Sequence, residues 1–198
     1  MLRRESAFNC LLARVATSVF WIWFVQMMNG SITRYPFLMR FLHWLSAAVI
    51  LWATGSGFYI LLAGPSEGVV NIIADFNVAL TLLFVPVFAV RVILRCLWLK
   101  PVNNQLLKHQ QKLADIGHGF LYVTVSVVLI SGVLMMERDM SVFDWFEVGA
   151  ILTNGHLTEI FSKIHRVANV ALFILLFVHI LAVIKHELSG IPMLRKMV

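Results

Sequence analysis

The sequence predicts an all-α membrane protein, a transmembrane four-helix bundle with an extra N-terminal hydrophobic segment. Three observations predict this fold class. Of the 198 residues, 60% are hydrophobic and only 13% are charged, about half the charge of a soluble domain. The mean hydropathy is +0.86. The hydrophobic residues also form long continuous blocks, so lipid must be the solvent for most of the surface.

Four of these blocks are long enough to cross a bilayer, which takes ~20 residues in a helix. None of them has the alternation of polar and apolar residues that a half-buried strand requires. We therefore expect helical spans at about residues 37–62, 70–98, 113–136 and 164–184.

Lys and Arg residues concentrate before the first span, between the second and third spans, and after the fourth. Acidic residues predominate in the other two connections. Because positive residues mark cytoplasmic loops, we expect both termini and the middle loop in the cytoplasm. The net charge of +6 is then explained by topology and by contact with anionic lipid headgroups, and nucleic acid is excluded as a partner.

The longest outside segment runs from Glu137 to Lys163. Its stretch from Val142 to Val148 mixes aromatic and acidic residues, as an element at the membrane interface does. We expect an interfacial anchor there.

Residues 1–28 form an N-terminal extension to the predicted membrane domain, residues 29–198. Its apolar run, Val15 to Met28, is too short to cross comfortably. Three interpretations stay open: an interfacial helix, a segment like a signal peptide but without a recognisable cleavage site, and an over-long gene model whose true start is Met27 or Met28.

Histidines are the residues most indicative of function. His109 and His156 lie in predicted polar loops, where a solvated surface role is expected. Five others lie within or at the ends of apolar spans, where ionisable groups are costly and usually mark function; they are His43, His118, His165, His179 and His186.

His165 and His179 are 14 residues apart on the fourth span. They therefore lie within about 40° of one another, roughly 21 Å apart along the axis. Two neutral imidazoles so spaced would serve two haems stacked across the bilayer. His43 and His118 lie at about the depth of His179, so both are possible partners for it. No CxxCH motif occurs, which excludes covalent c-type attachment.

Several short motifs resemble those of the bacterial cytochrome b561 family, in the right order and on the right spans. They are Arg34 to Ala47, with the pair His43-Trp44; Ala114 to Tyr122; Ser141 to Phe146; His179 with Lys185-His186; and Met193 to Met197. The likeness covers about residues 34–197.

The resemblance implies a four-helix cytochrome b of the bacterial inner membrane, related to the cytochrome b subunit of Ni/Fe hydrogenases. Such proteins pass electrons between quinone and a partner redox protein or a small oxidant. It also implies that His43 and His179 ligate the haem b nearer the cytoplasm. His165 would belong to the outer haem, opposite a histidine of the second span.

The sequence departs from the family pattern at Asn77, which occupies that last ligand position. An amide nitrogen is a very poor iron ligand, so the outer haem should be lost, five-coordinate or rescued by another group. We therefore expect one haem b, held by His43 and His179, and a degenerate outer site that retains His165.

Other residues have two interpretations each. Asp115 and His118 share a helix face, either as a quinone or proton-transfer pair or as a dipole-favoured acid bonded to a histidine. Arg91 and Arg95 would pair with haem propionates or reach lipid phosphates. Glycines such as Gly132 would make room for a macrocycle or allow close helix packing.

The expected function is electron transfer, as a carrier or as a quinone-linked oxidoreductase. The main alternative is a haem-poor membrane anchor or scaffold subunit with the same fold. A transporter is disfavoured because the spans lack paired Gly- or Pro-broken helices.

Overall fold

The computed structural model describes residues 35–97, 107–136, 140–142, 146–152, 154–191 and 193–194. Four long helices dominate them, and all four are long and apolar enough to cross a membrane. The prediction of an all-α bundle with four spans is confirmed. The helices are α1, Phe37–Ala63; α2, Glu67–Leu97; α3, Lys108–Leu134; and α4, Gly155–Leu188.

Three of the predictions fall on residues outside this described part. They concern the extension of residues 1–28, the aromatic and acidic residues 143–145 of the outer segment, and the basic residues after position 194.

Three helices begin several residues before the predicted spans. The Asn154 side chain accepts a hydrogen bond of 3.0 Å from the His156 N–H, so α4 begins nine residues before the apolar block. Gln110 accepts a bond of 3.1 Å from the Leu107 N–H at the start of α3. His109 and His156, predicted in loops, consequently lie in the first turns of helices.

The helices run alternately up and down. α1 ends at Gly64, whose left-handed φ of 55° suits glycine, and only residues 64–66 separate it from α2. So short a connection makes the two helices antiparallel neighbours. α2 continues through Pro86 without a break.

A small hairpin precedes α4. Its strands, Met140–Val142 (β1) and Phe146–Val148 (β2), pair antiparallel, with Val142 opposite Phe146. The sequence predicted an interfacial element in this segment and not its extended conformation.

Side-chain contacts connect each helix with the next around the bundle. Phe88 of α2 lies 6.0 Å from Tyr122 of α3, and Phe58 of α1 lies 4.8 Å from Phe173 of α4, between ring centroids. α2 and α4 therefore occupy diagonal corners. The central cluster consists of Phe84, Phe88, Val125, Leu129 and Leu172.

The outward faces are apolar, as lipid contact requires; Leu62 and Val167, for example, are 81% and 71% exposed. We call the end where α1 and α3 begin the basic end, because it carries Arg40, Arg91, Arg95, Lys108 and Lys112. The other is the opposite end.

Candidate functional site

Three imidazoles converge inside the bundle at the basic end, one each from α1, α3 and α4. The rings of His118 and His179 meet edge to face with centroids 5.3 Å apart. His43 lies close enough to both for their charges to interact. All three are half-buried. The fold thus brings together His179 and both of its predicted partners, His43 and His118.

Arg91 of α2 contacts this cluster. Its Nη2 lies 3.0 Å from Nδ1 of His43, and its guanidinium stacks 5.4 Å from the centre of the Tyr122 ring. A guanidinium only donates hydrogen bonds, so Nδ1 of His43 is the acceptor and its proton lies on Nε2. Ligation of a metal through Nε2 requires the other tautomer, and therefore requires Arg91 to turn away.

Asp115 pairs across helices with Arg95, whose Nη2 lies 3.5 Å from Oδ1 of the carboxylate. The sequence predicted Asp115 and His118 as a pair, and in the structure the carboxylate forms an ion pair with Arg95 of α2. Tyr35 lies beside the same ion pair, and burial raises its pKa, so its hydroxyl stays neutral.

His165 lies near the opposite end, about 21 Å along α4 from His179. Its Nδ1 is 3.0 Å from the carbonyl oxygen of Val128 and 3.2 Å from Oγ of Ser131, both on α3. A carbonyl only accepts, so Nδ1 carries the proton and Nε2 carries the lone pair. His165 is thus in the tautomer that ligates through Nε2.

Asn77 joins α2 to α1 by two side-chain hydrogen bonds. Its Oδ1 accepts from Nε1 of Trp52 at 3.1 Å, and its Nδ2 donates to Oγ of Ser56 at 2.8 Å. Both ends of the amide are therefore engaged with the neighbouring helix.

Two cavities differ greatly in size. The one beside His43, Arg91 and Tyr122 is about 40 Å³. The one that Asn77 and His165 line is about 450 Å³, within the ~300–1,000 Å³ of small-molecule sites. All four helices contribute to its walls.

Residues 34–198 match the family of prokaryotic cytochrome b561. The chain belongs to this family. None of the individually curated proteins matches it.

As a cytochrome b561, the chain is a multi-pass membrane b-type cytochrome of electron transfer, and its family implies that it binds haem b. Within the described residues no three His, Cys, Asp or Glu side chains are arranged to hold a bare metal ion. Imidazoles from different helices do fit the chemistry of haem iron, which takes axial ligands from above and below the ring. The donor set at the basic end therefore fits haem, whereas the open space lies near the opposite end.

Several residues of these sites in this cytochrome b561 were not predicted from the sequence. Trp52 and Ser56 hold Asn77, and Ser131 and the Val128 carbonyl hold His165. Polar residues inside apolar spans are the signal that points to Trp52, Ser56 and Ser131. A backbone carbonyl gives no signal in a sequence.

Proposed function

We propose that the chain is a haem-b electron carrier whose low-spin haem is held by His43 and His179 at the basic end. The observation that carries the proposal is the convergence of imidazoles from the first and last helices inside an apolar bundle. An ionisable side chain inside an apolar span is costly to insert, and a role as haem ligand accounts for both imidazoles. Haem supplies a one-electron redox couple when bound.

The surrounding residues would position the ligands and balance charge. Arg91 would have to leave Nδ1 of His43 for that residue to ligate through Nε2, and its guanidinium would then suit a haem propionate. Since the cavity lined by His43, Arg91 and Tyr122 is only about 40 Å³, the side chains around it would have to move to admit the ring.

His118 and Asp115 form the proposed quinone or proton-transfer site. His118 touches His179 edge to face, and Asp115 is held by Arg95 at the membrane surface. Quinone reduction consumes protons, and an imidazole next to a proposed ligand is well placed to hold one. The proposed partners are therefore quinone in the membrane and a redox partner protein.

We further infer that the basic end faces the cytoplasm, in the inner membrane of a bacterium, with residues 29–198 as the functional unit. The positive residues at that end support this orientation. The family match begins at residue 34, close to the proposed start of the unit.

A haem-poor anchor or scaffold subunit is the second candidate. The small cavity beside His43 and the replacement of a ligand by Asn77 favour it.

Haem content and spectra of the protein purified from membranes test the proposal. We expect a reduced-minus-oxidised spectrum of b type, and loss of its low-spin component in His43→Ala and His179→Ala. His109→Ala, which removes an exposed histidine of α3, is the matched control and should retain it. A pyridine haemochrome count of zero would favour the scaffold, and an unchanged low-spin signal in either variant would remove that residue from the site.

A further inference from the structure

The cavity near the opposite end is large although the ligand expected from α2 is missing. It lies among the four helices, and its walls are mainly apolar, with Phe58, Ile60 and Leu82 among them. A Cβ built on Gly57 would meet no atom within 4 Å, so the helices leave space there and do not pack closely.

His165 is held in one orientation at the wall of this cavity. Its Nδ1–H is fixed by the Val128 carbonyl, which leaves Nε2 with the lone pair. Gly132 supports the ring from the side: a Cβ there would lie 3.1 Å from Cε1 of His165, closer than ordinary contact. Such oriented imidazoles, with a carbonyl bonded to the far nitrogen, are typical of metal ligands.

Asn77 does not replace the second ligand. Its oxygen accepts from Trp52 and its nitrogen donates to Ser56, so the amide serves to join α1 and α2. A haem in this cavity would therefore have a single imidazole ligand, His165.

The cavity also reaches the surface of the bundle. Leu61 and Arg166 belong to its walls and are exposed. Arg166 is bonded by Nη1 to Ser162, and its guanidinium matches the carboxylate of a propionate at the membrane surface. A small molecule therefore has an entry path.

We propose that this cavity binds a second haem b through His165 alone and leaves one coordination position for a neutral diatomic ligand such as carbon monoxide or nitric oxide. The inference rests on the proposed function only in that the chain must be supplied with haem b. It adds a gas-binding site, whereas the haem of His43 and His179 is closed by two ligands.

Carbon monoxide is the probe for the test, added to the reduced, haem-loaded full chain. We expect about two haems per chain, one low-spin and one high-spin, with carbon monoxide binding about one of them. His165→Ala should lose the high-spin haem and the carbon monoxide signal. His165→Gly should regain both when imidazole is supplied, which a merely structural role of His165 would not explain.

Asn77→His provides the converse test, because it restores an imidazole at the missing position. The second haem should become low-spin and cease to bind carbon monoxide. Three results would each overturn the inference. The first is carbon monoxide binding that survives in His165→Ala. The others are a wild-type chain with two low-spin haems, and a wild-type chain with a single haem that does not bind carbon monoxide.

The double variant His43→Ala/His179→Ala separates this inference from the proposed function, because it removes both proposed ligands of the first haem. It should lose the low-spin haem and still bind carbon monoxide. If carbon monoxide binding is lost as well, the second site is not independent and the inference is overturned. An intact low-spin haem in that variant would instead contradict the proposed function.

Discussion

The imidazole rings of His118 and His179 meet edge to face, with their centroids 5.3 Å apart. His179 thus has two histidines near it, His118 on α3 and His43 on α1. Both have the depth of an axial partner, so substitution must decide between them.

We expect His118→Phe to retain the low-spin haem, because Phe keeps the ring contact with His179 and His43 still supplies the second ligand. His43→Phe should abolish the low-spin signal. Electron paramagnetic resonance of the oxidised protein distinguishes the two results. The reverse outcome, loss in His118→Phe and retention in His43→Phe, would assign the axial role to His118.

Arg91 should raise the midpoint potential of the haem that we propose at the basic end. A cation near haem favours the reduced form, which carries one positive charge fewer. Arg91→Gln should therefore lower the potential by on the order of tens of millivolts, as expected for a unit charge in a partly screened environment.

Arg91→Lys is the matched control because it keeps the charge, although it loses the planar donor pair. Redox titration of both variants should give a potential for Arg91→Lys nearer to that of the wild type. Equal shifts in the two variants would mean that geometry, and not charge, is the contribution of Arg91.

The four spans could be predicted from the sequence because a helix crosses the membrane wherever an apolar run is long enough, and the length of a run can be counted in the sequence. The helix ends could not, since α4 begins where Asn154 caps it and not where the apolar block begins. The capping residue sets where the helix begins, whereas the membrane interface sets where the apolar block begins, so these two boundaries fall at different residues.

The site could be predicted only in part. The cost of placing an ionisable side chain in a membrane singles out five histidines of the sequence, and the resemblance to the family then assigns His43, His165 and His179 to haem. Arg95 and Asp115 flank the connection between α2 and α3, so antiparallel packing predicts that they lie at the same end of the bundle. Their ion pair also depends on how the two helices are rotated, which the sequence does not show. The tautomer of His165 depends on a backbone carbonyl of another helix, and no sequence pattern encodes that.

Asn77 should stabilise the contact between α1 and α2. Asn77→Ala loses two hydrogen bonds, each worth about 0.5–1.5 kcal/mol in proteins and about 0.6 kcal/mol on average in one membrane protein. We expect a loss of roughly 1–2 kcal/mol in the free energy of unfolding, measured by denaturant titration in detergent micelles.

The single-bond variants Trp52→Phe and Ser56→Ala are the controls. Each should lose about half of this free energy, and combining either with Asn77→Ala should add little. Full additivity in the double variants would mean that the side chains act independently of the Asn77 amide.

Gly132 should be intolerant of a side chain because the ring of His165 lies against it. A Cβ at Gly132 would come within 3.1 Å of Cε1 and 3.4 Å of Nδ1, and the bond from Nδ1 to the Val128 carbonyl opposes a retreat of the ring. Gly132→Ala should therefore lower the free energy of unfolding by about 1–3 kcal/mol, as overpacking does.

Gly119→Ala is the matched control on the same helix, since a Cβ there meets nothing within 4 Å. It should be neutral or stabilise the protein by about 0.5–1 kcal/mol, because alanine favours helix over glycine. The two variants are compared by the same detergent titration, and equal stabilities would contradict the tight contact between Gly132 and His165.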